Sequence, residues 1–226
     1  MSVLTTVVFG LGLAGAVGAC AAREHRLVRS SRLSLLDRCT SVVAGAEIRH
    51  GGDGFPTLVG FHSGQRMALE LIPDTMVLRR LPQLWASVTL LGTLTGVPSL
   101  AILVRPAGYE FYSLTNRLPF ALETPAAFPQ EVLIRGANAR AQVLVEQLSA
   151  QLAASLADPR IKEIAITDKG LRIVAQVGEG RRGEHLLLRQ AVFDDAGVRP
   201  SELTNWLEQL DALQSTIEAR EWKLAA

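Results

Sequence analysis

Residues 3–22 run for twenty positions without a charged side chain. No other feature narrows the possible folds as much. A helix rises about 1.5 Å per residue, so such a run matches the roughly 30 Å hydrocarbon core of a bilayer. Lipid offers the backbone no hydrogen bonds, so a segment that inserts there must be helical. Arg23, His25, Arg26, Arg29, Arg32 and Arg38 follow, opposed only by Glu24 and Asp37, whereas residues 1–6 carry no side-chain charge. Basic residues tend to stay on the cytoplasmic side. The expectation is a single-pass transmembrane anchor over residues 1–22 in the inner (cytoplasmic) membrane, with the remaining chain in the cytoplasm. A basic juxtamembrane segment, residues 23–44, would follow, with a short helix over residues 30–43. Within it Arg23, Arg26, Arg29 and Arg32 would contact anionic headgroups. Gly10, Gly12, Gly15 and Gly18 would let other membrane helices approach closely.

The same residues support rival readings. Gly10-Leu11-Gly12-Leu13-Ala14-Gly15 fits G-x-G-x-x-G after the apolar Thr6-Val7-Val8-Phe9. Asp37 follows about twenty residues later, where a ribose-binding carboxylate belongs in a dinucleotide-binding enzyme. Against this, no second strand–helix–strand unit is legible, and the stretch after the glycines is rich in Arg and Ser. Val17-Gly18-Ala19-Cys20 resembles a lipobox, which would make the chain a periplasmic lipoprotein acylated at Cys20. The lack of a basic n-region weighs against that reading and against a cleaved secretory signal.

Beyond residue 45 the composition is globular, with 48% hydrophobic and 20% charged residues over the whole chain. Residues 57–61 and 66–72 read as two strands joined at His62-Ser63-Gly64. In the second, Met67, Leu69 and Leu71 alternate with Arg66, Ala68, Glu70 and Ile72, giving one buried face and one mostly wet face. Residues 84–104 contain no charge and are long enough to cross a bilayer. Their centre, Gly92-Thr93-Leu94-Thr95-Gly96-Val97-Pro98-Ser99, is turn chemistry, so two strands over residues 85–91 and 100–105 are favoured. A strand over 131–135, a helix over 139–156 and a hairpin over 161–177 follow. Pro200-Ser201, with serine as N-cap, opens a last helix whose apolar stripe is Leu203, Trp206, Leu207, Leu210, Leu213 and Ile217. The expected fold is α+β: the transmembrane helix, then a mostly antiparallel sheet with helices packed on one face. Residues 45–122 would form a strand-rich lobe and residues 123–226 an α+β lobe.

The chemistry is sparse. A net charge of +1 and 5% aromatic residues leave little to attract or stack nucleic acid. Cys20 and Cys39 are too few for a disulfide framework. His25, His50, His62 and His185 fall into no metal-binding motif, and a site from His50, Asp53 and His62 is a remote option. Asp74, Arg79, Arg80, Arg105 and Glu110 read as strand-end residues that pair among themselves. Gly178-Glu179-Gly180-Arg181-Arg182-Gly183 could cradle a phosphate but more simply forms a solvated turn. Arg181, Arg182 and Trp206 remain as a possible partner surface. The functional expectation is a membrane-anchored, non-enzymatic interaction or assembly subunit without cofactor or metal, whose partners are the lipid bilayer and other membrane-protein subunits.

Overall fold

A computed structural model describes residues 15–16, 18–20, 22–23, 26–27, 29–52, 54–75, 81–182, 192–193 and 197–219. Every described residue between 15 and 33 is helical and most are exposed. The described part of that stretch carries Arg23, Arg26, Arg29 and Arg32. Among the described residues no helix is long and apolar enough to cross a membrane. The expected single-pass helix, and with it the inner-membrane location, is therefore not supported. Residues 3–14, including Gly10 and Gly12, lie outside the described residues. The helix expected over residues 30–43 is also corrected: helix ends at Leu33, and a 3-10 turn spans Asp37–Val42. Leu36, Cys39 and Val43 are drawn into the core there.

The body is a nine-stranded sheet, antiparallel throughout, in the order β1-β2-β3-β4-β9-β8-β5-β7-β6. The strands are β1 (Ala44–His50), β2 (Pro56–His62), β3 (Gln65–Asp74), β4 (Gln83–Leu91), β5 (Leu100–Val104), β6 (Phe120–Ala121), β7 (Val132–Gly136), β8 (Ile161–Thr167) and β9 (Gly170–Glu179). The uncharged run at 84–104 is thus two strands, and they are not neighbours: β9 and β8 lie between them. Both are central, β5 buried throughout and β4 over all but its last residues, so neither shows a polar alternation. Between β8 and β9 the chain turns so tightly that a Cβ on Gly170, at φ +135°, would strike the Leu90 carbonyl; only glycine fits. Pairing of β4 with β9 joins residues before and after 122 in one sheet.

One face of the sheet carries the main core. Leu58, Met67, Leu69, Leu84, Val88, Leu100, Ile102, Ile164 and Ile173 point into it. Helices α1 (Ala141–Gln147), α2 (Ser149–Leu156) and α3 (Pro200–Glu218) contribute Leu144, Leu152, Leu203, Leu210 and Leu213. The helix expected over 139–156 breaks at Leu148. Arg199, not Ser201, is the N-cap of α3; its backbone N–H donates to the Glu202 carboxylate at 3.0 Å. Trp206 is fully buried and so cannot belong to a partner surface. The dinucleotide reading loses its frame as well. The described strands form no parallel pair, and Asp37 sits in the 3-10 turn rather than at a strand end.

Candidate functional site

The second face of the sheet is only half covered, and a strap over residues 105–119, irregular except for a 3-10 turn at Leu114–Arg117, does the covering. Arg105, at φ +49°, starts the strap and donates through its guanidinium to the carbonyls of Pro159 (2.6 Å) and Ile161 (2.9 Å). Glu110 accepts from the Ala107 N–H at 2.7 Å and pairs with Lys162 at 3.1 Å; both side chains are almost wholly buried. Glu163 on β8 is 0% exposed. One of its oxygens accepts from Ser113 Oγ (2.6 Å) and the Leu114 N–H (2.8 Å), and the other pairs with Arg172 of β9. Arg172 also donates to the Tyr112 carbonyl at 3.1 Å. Two ion pairs, Glu110–Lys162 buried on both sides and Glu163–Arg172 buried at the carboxylate, thus pin the strap, an arrangement in which loss of the buried partner is costly. Below it, Tyr112 packs on Trp85, Val174 and Ile72, and Leu114 and Leu118 on Ala101 and Ala165. At its crest Tyr109 is 80% and Phe111 49% exposed.

Next to the strap the face lies open over β2, β3 and the Thr89–Leu91 end of β4, whereas Trp85 and Ser87 of β4 are buried. The ladder registers set its side chains in three rows across those strands: Phe61–Arg66–Leu91, Val59–Ala68–Thr89 and Thr57–Glu70–Ser87. Phe61 remains 46% and Leu91 42% exposed. Glu47 and Arg49 of β1 border the rows and pair with each other at 2.9 Å. A shallow groove of about 290 Å³ runs over Glu47, Val59, Phe61, Arg66, Ala68 and Leu91. Large apolar side chains on a nominally wet face, beside exposed aromatics, are what protein recognition uses.

Comparison with family models, curated proteins and solved structures finds no match.

Two other clusters carry polar chemistry. His62 Nε2 and Ser63 Oγ both approach Asp211 Oδ2, at 2.8 and 3.3 Å. They share one acceptor, whereas a hydrolytic triad needs the histidine between serine and aspartate; here the cluster ties the β2–β3 turn to α3. At the start of α3 a cleft of about 450 Å³ is lined by Arg160, Gln176, Glu179, Arg199 and Glu202. Arg160 and Arg199 both bond Glu202, and Arg160 also pairs with Asp158 at 2.9 Å. The two cations are therefore matched by Asp158 and Glu202, and Glu179 adds a third carboxylate, so no positive charge is left to draw an anionic ligand. Burial pushes the Glu202 carboxyl up, but hydrogen bonds and charge from Arg199 and Arg160 outweigh it and hold the group below its ordinary value.

The residues singled out in the sequence scatter. Gly15 and Gly18 are helical, with open space where a Cβ would stand. Arg23, Arg26 and Arg29 are exposed on that helix, and Arg32 lies 5.1 Å from the Phe55 ring centroid. The headgroup and helix-packing roles expected for these residues rested on the unsupported span. Cys20 is exposed and helical. In the described part of the expected glycine cradle, Gly180 N–H donates to the Pro82 carbonyl and Arg181 N–H to the Val192 carbonyl, at 2.7 and 2.8 Å, so neither amide is turned to a phosphate. Arg181 and Arg182 are exposed, far along the sequence from the open rows. Asp53, Arg79 and Arg80 lie outside the described residues, and among those described no group could hold a metal ion. What sequence reasoning missed is the pair Lys162 and Glu163. A Lys-Glu dipeptide inside an Ile- and Ala-rich strand was the available signal.

Proposed function

We propose that this chain is a non-enzymatic interaction subunit that binds a protein partner on the open half of the sheet's second face. The observation that carries the reading is the exposure of Phe61 and Leu91, side by side with Arg66 in one row at the end of an otherwise ordered face. Apolar anchors ringed by polar groups are the usual composition of a protein-binding patch. The strap supports the reading further. Its ion pairs hold Tyr109 and Phe111 in place without a partner, so little conformational freedom is lost on binding.

The test is site-specific photo-crosslinking of the full chain in its native cell. A benzoyl-phenylalanine at Phe61 is expected to give a discrete adduct of defined mass, removed by Leu91→Asp. The same probe at Glu208, exposed on α3, is expected to give none. Equal crosslinking at the two positions overturns the proposal.

A further inference from the structure

We infer that the partner on this face is a second copy of the chain, packed face to face about a two-fold axis that runs along the row Val59–Ala68–Thr89. The inference rests on the protein-binding reading above and names its occupant. The register carries it. Phe61, Arg66 and Leu91 form the row on one side of that axis, and Thr57, Glu70 and Ser87 form the row on the other. A half-turn about the central row lays each flanking row over the opposite one of the second copy. Phe61 then meets Thr57, large over small, while Leu91 lies over the end of β4 where Ser87 is buried at 4% exposure. Arg66 meets Glu70 twice, once in each direction, as an isologous contact requires. Ala68 faces itself on the axis, where a small side chain lets two sheets close to about 10 Å.

Among charged residues of the open face, the chosen half-turn sets only Glu47 of β1 on itself, at the sheet edge and paired with its own Arg49 at 2.9 Å, whereas the alternative, along the strands through β3, would set both Arg66 on Arg66 and Glu70 on Glu70. Like charges in contact disfavour it. The net charge of +1 leaves two copies with almost no mutual repulsion. A differently charged partner would gain no steering from a face that carries Glu47 and Glu70 against Arg49 and Arg66. The strap stands beside the rows, over β9, β8, β5 and the Trp85 end of β4, so the two sheets open as a wedge toward it. Four strands about 4.8 Å apart and about 20 Å long give roughly 400 Å² of flat face per copy. That is half of a standard interface, which makes the association weak, with a dissociation constant of about micromolar or above.

Sedimentation equilibrium of the full chain from about 1 to about 500 µM tests this range. The expected result is a reversible monomer–dimer equilibrium. Arg66→Glu alone and Glu70→Arg alone are each expected to weaken it about tenfold or more. Their equimolar mixture should restore it, because the heterodimer regains both opposite-charge contacts. Both positions are exposed, and circular dichroism melts check that each variant folds. A parent chain that stays monomeric throughout overturns the inference, as does a mixture no tighter than either variant alone. If the parent is monomeric while the Phe61 probe still captures a different protein, the second copy is wrong and the binding reading survives. If neither assay shows an adduct or a dimer, both fall.

Discussion

At the scale of single residues, burial and ion pairing decide which titratable groups respond to solution conditions. Cys39 is fully buried, and its thiol donates to the Val198 carbonyl at 3.1 Å. Burial, with a smaller contribution from the Glu202 charge, pushes its pKa up to about 11. The thiolate is the reactive species, so Cys39 is inert near neutral pH while the exposed Cys20 is not. Intact mass after brief maleimide treatment is expected to show one adduct on the native chain and two after denaturation; two on the native chain contradict this. The carboxylates near α3 respond to acid. Asp158 is pushed up by burial but held below its ordinary value by hydrogen bonds and charge from Arg160, and Glu202 behaves alike beside Arg199 and Arg160. A carboxylate depressed in the folded state stabilises it fully above the ordinary carboxylate range, and that contribution is lost as pH falls through the depressed value. Melting temperature should therefore fall more steeply on acidification from about pH 6 to about pH 3 in the parent than in Glu202→Gln. Parallel curves would remove the two-arginine clamp from the account.

At the scale of elements, the strap is the part that the sequence hid. Period-two alternation reveals β3, and the Asp168-Lys169-Gly170 turn reveals the β8–β9 hairpin, because local chemistry dictates both. The stripe from Leu203 to Ile217 reveals α3 for the same reason. Residues 105–119 have no period, and what holds them lies fifty positions away: Ser113 and Leu114 reach Glu163, and Tyr112 reaches Arg172. Such contacts exist only after β5, β8 and β9 have assembled, so no local pattern announces them. The open rows were half legible. The wet face of β3 follows from its alternation, but Phe61 and Leu91 lie on other strands and join it only through register. The first twenty-odd residues misled because apolar length alone does not separate a bilayer span from other uses of such a segment. The strap has a direct test. Removing one partner of a buried ion pair costs about 3–5 kcal/mol, and for a chain of this size each kcal/mol lowers the melting temperature by about 2–4 °C. Glu163→Ala should accordingly melt about 6–20 °C lower. Tryptic cleavage after the exposed Arg117 should also become faster than in the parent. An unchanged melt and unchanged cleavage would mean that the ion pairs do not pin the strap.

At the scale of the whole molecule, the decisive contact is the ladder between β4 and β9, residues 83–91 against 170–179. It makes the N-terminal strands depend on a strand that follows them by about eighty positions, and it places α3 over both. Neither side of residue 122 holds a complete sheet: without β9, β4 loses one backbone partner and the helix that covers its apolar face. Chains built on such long-range antiparallel pairing close large loops before contacts repay the entropy, so they fold slowly but as a unit. Two tryptophans report on opposite faces. Trp206 sits fully buried in the main core, and Trp85 lies under the strap against Tyr112, with ring centroids 5.7 Å apart. With Trp222 replaced by phenylalanine, Trp85→Phe leaves a reporter of the helical face and Trp206→Phe a reporter of the strap face. Once each variant's own loss of stability is measured by circular dichroism, its urea midpoint by fluorescence is expected to coincide with that by circular dichroism, the mark of a two-state transition. A Trp85 signal that changes well before the circular dichroism would show the strap and open half-face unfolding as a separate unit, and the face would then be too labile to serve as a preformed binding surface.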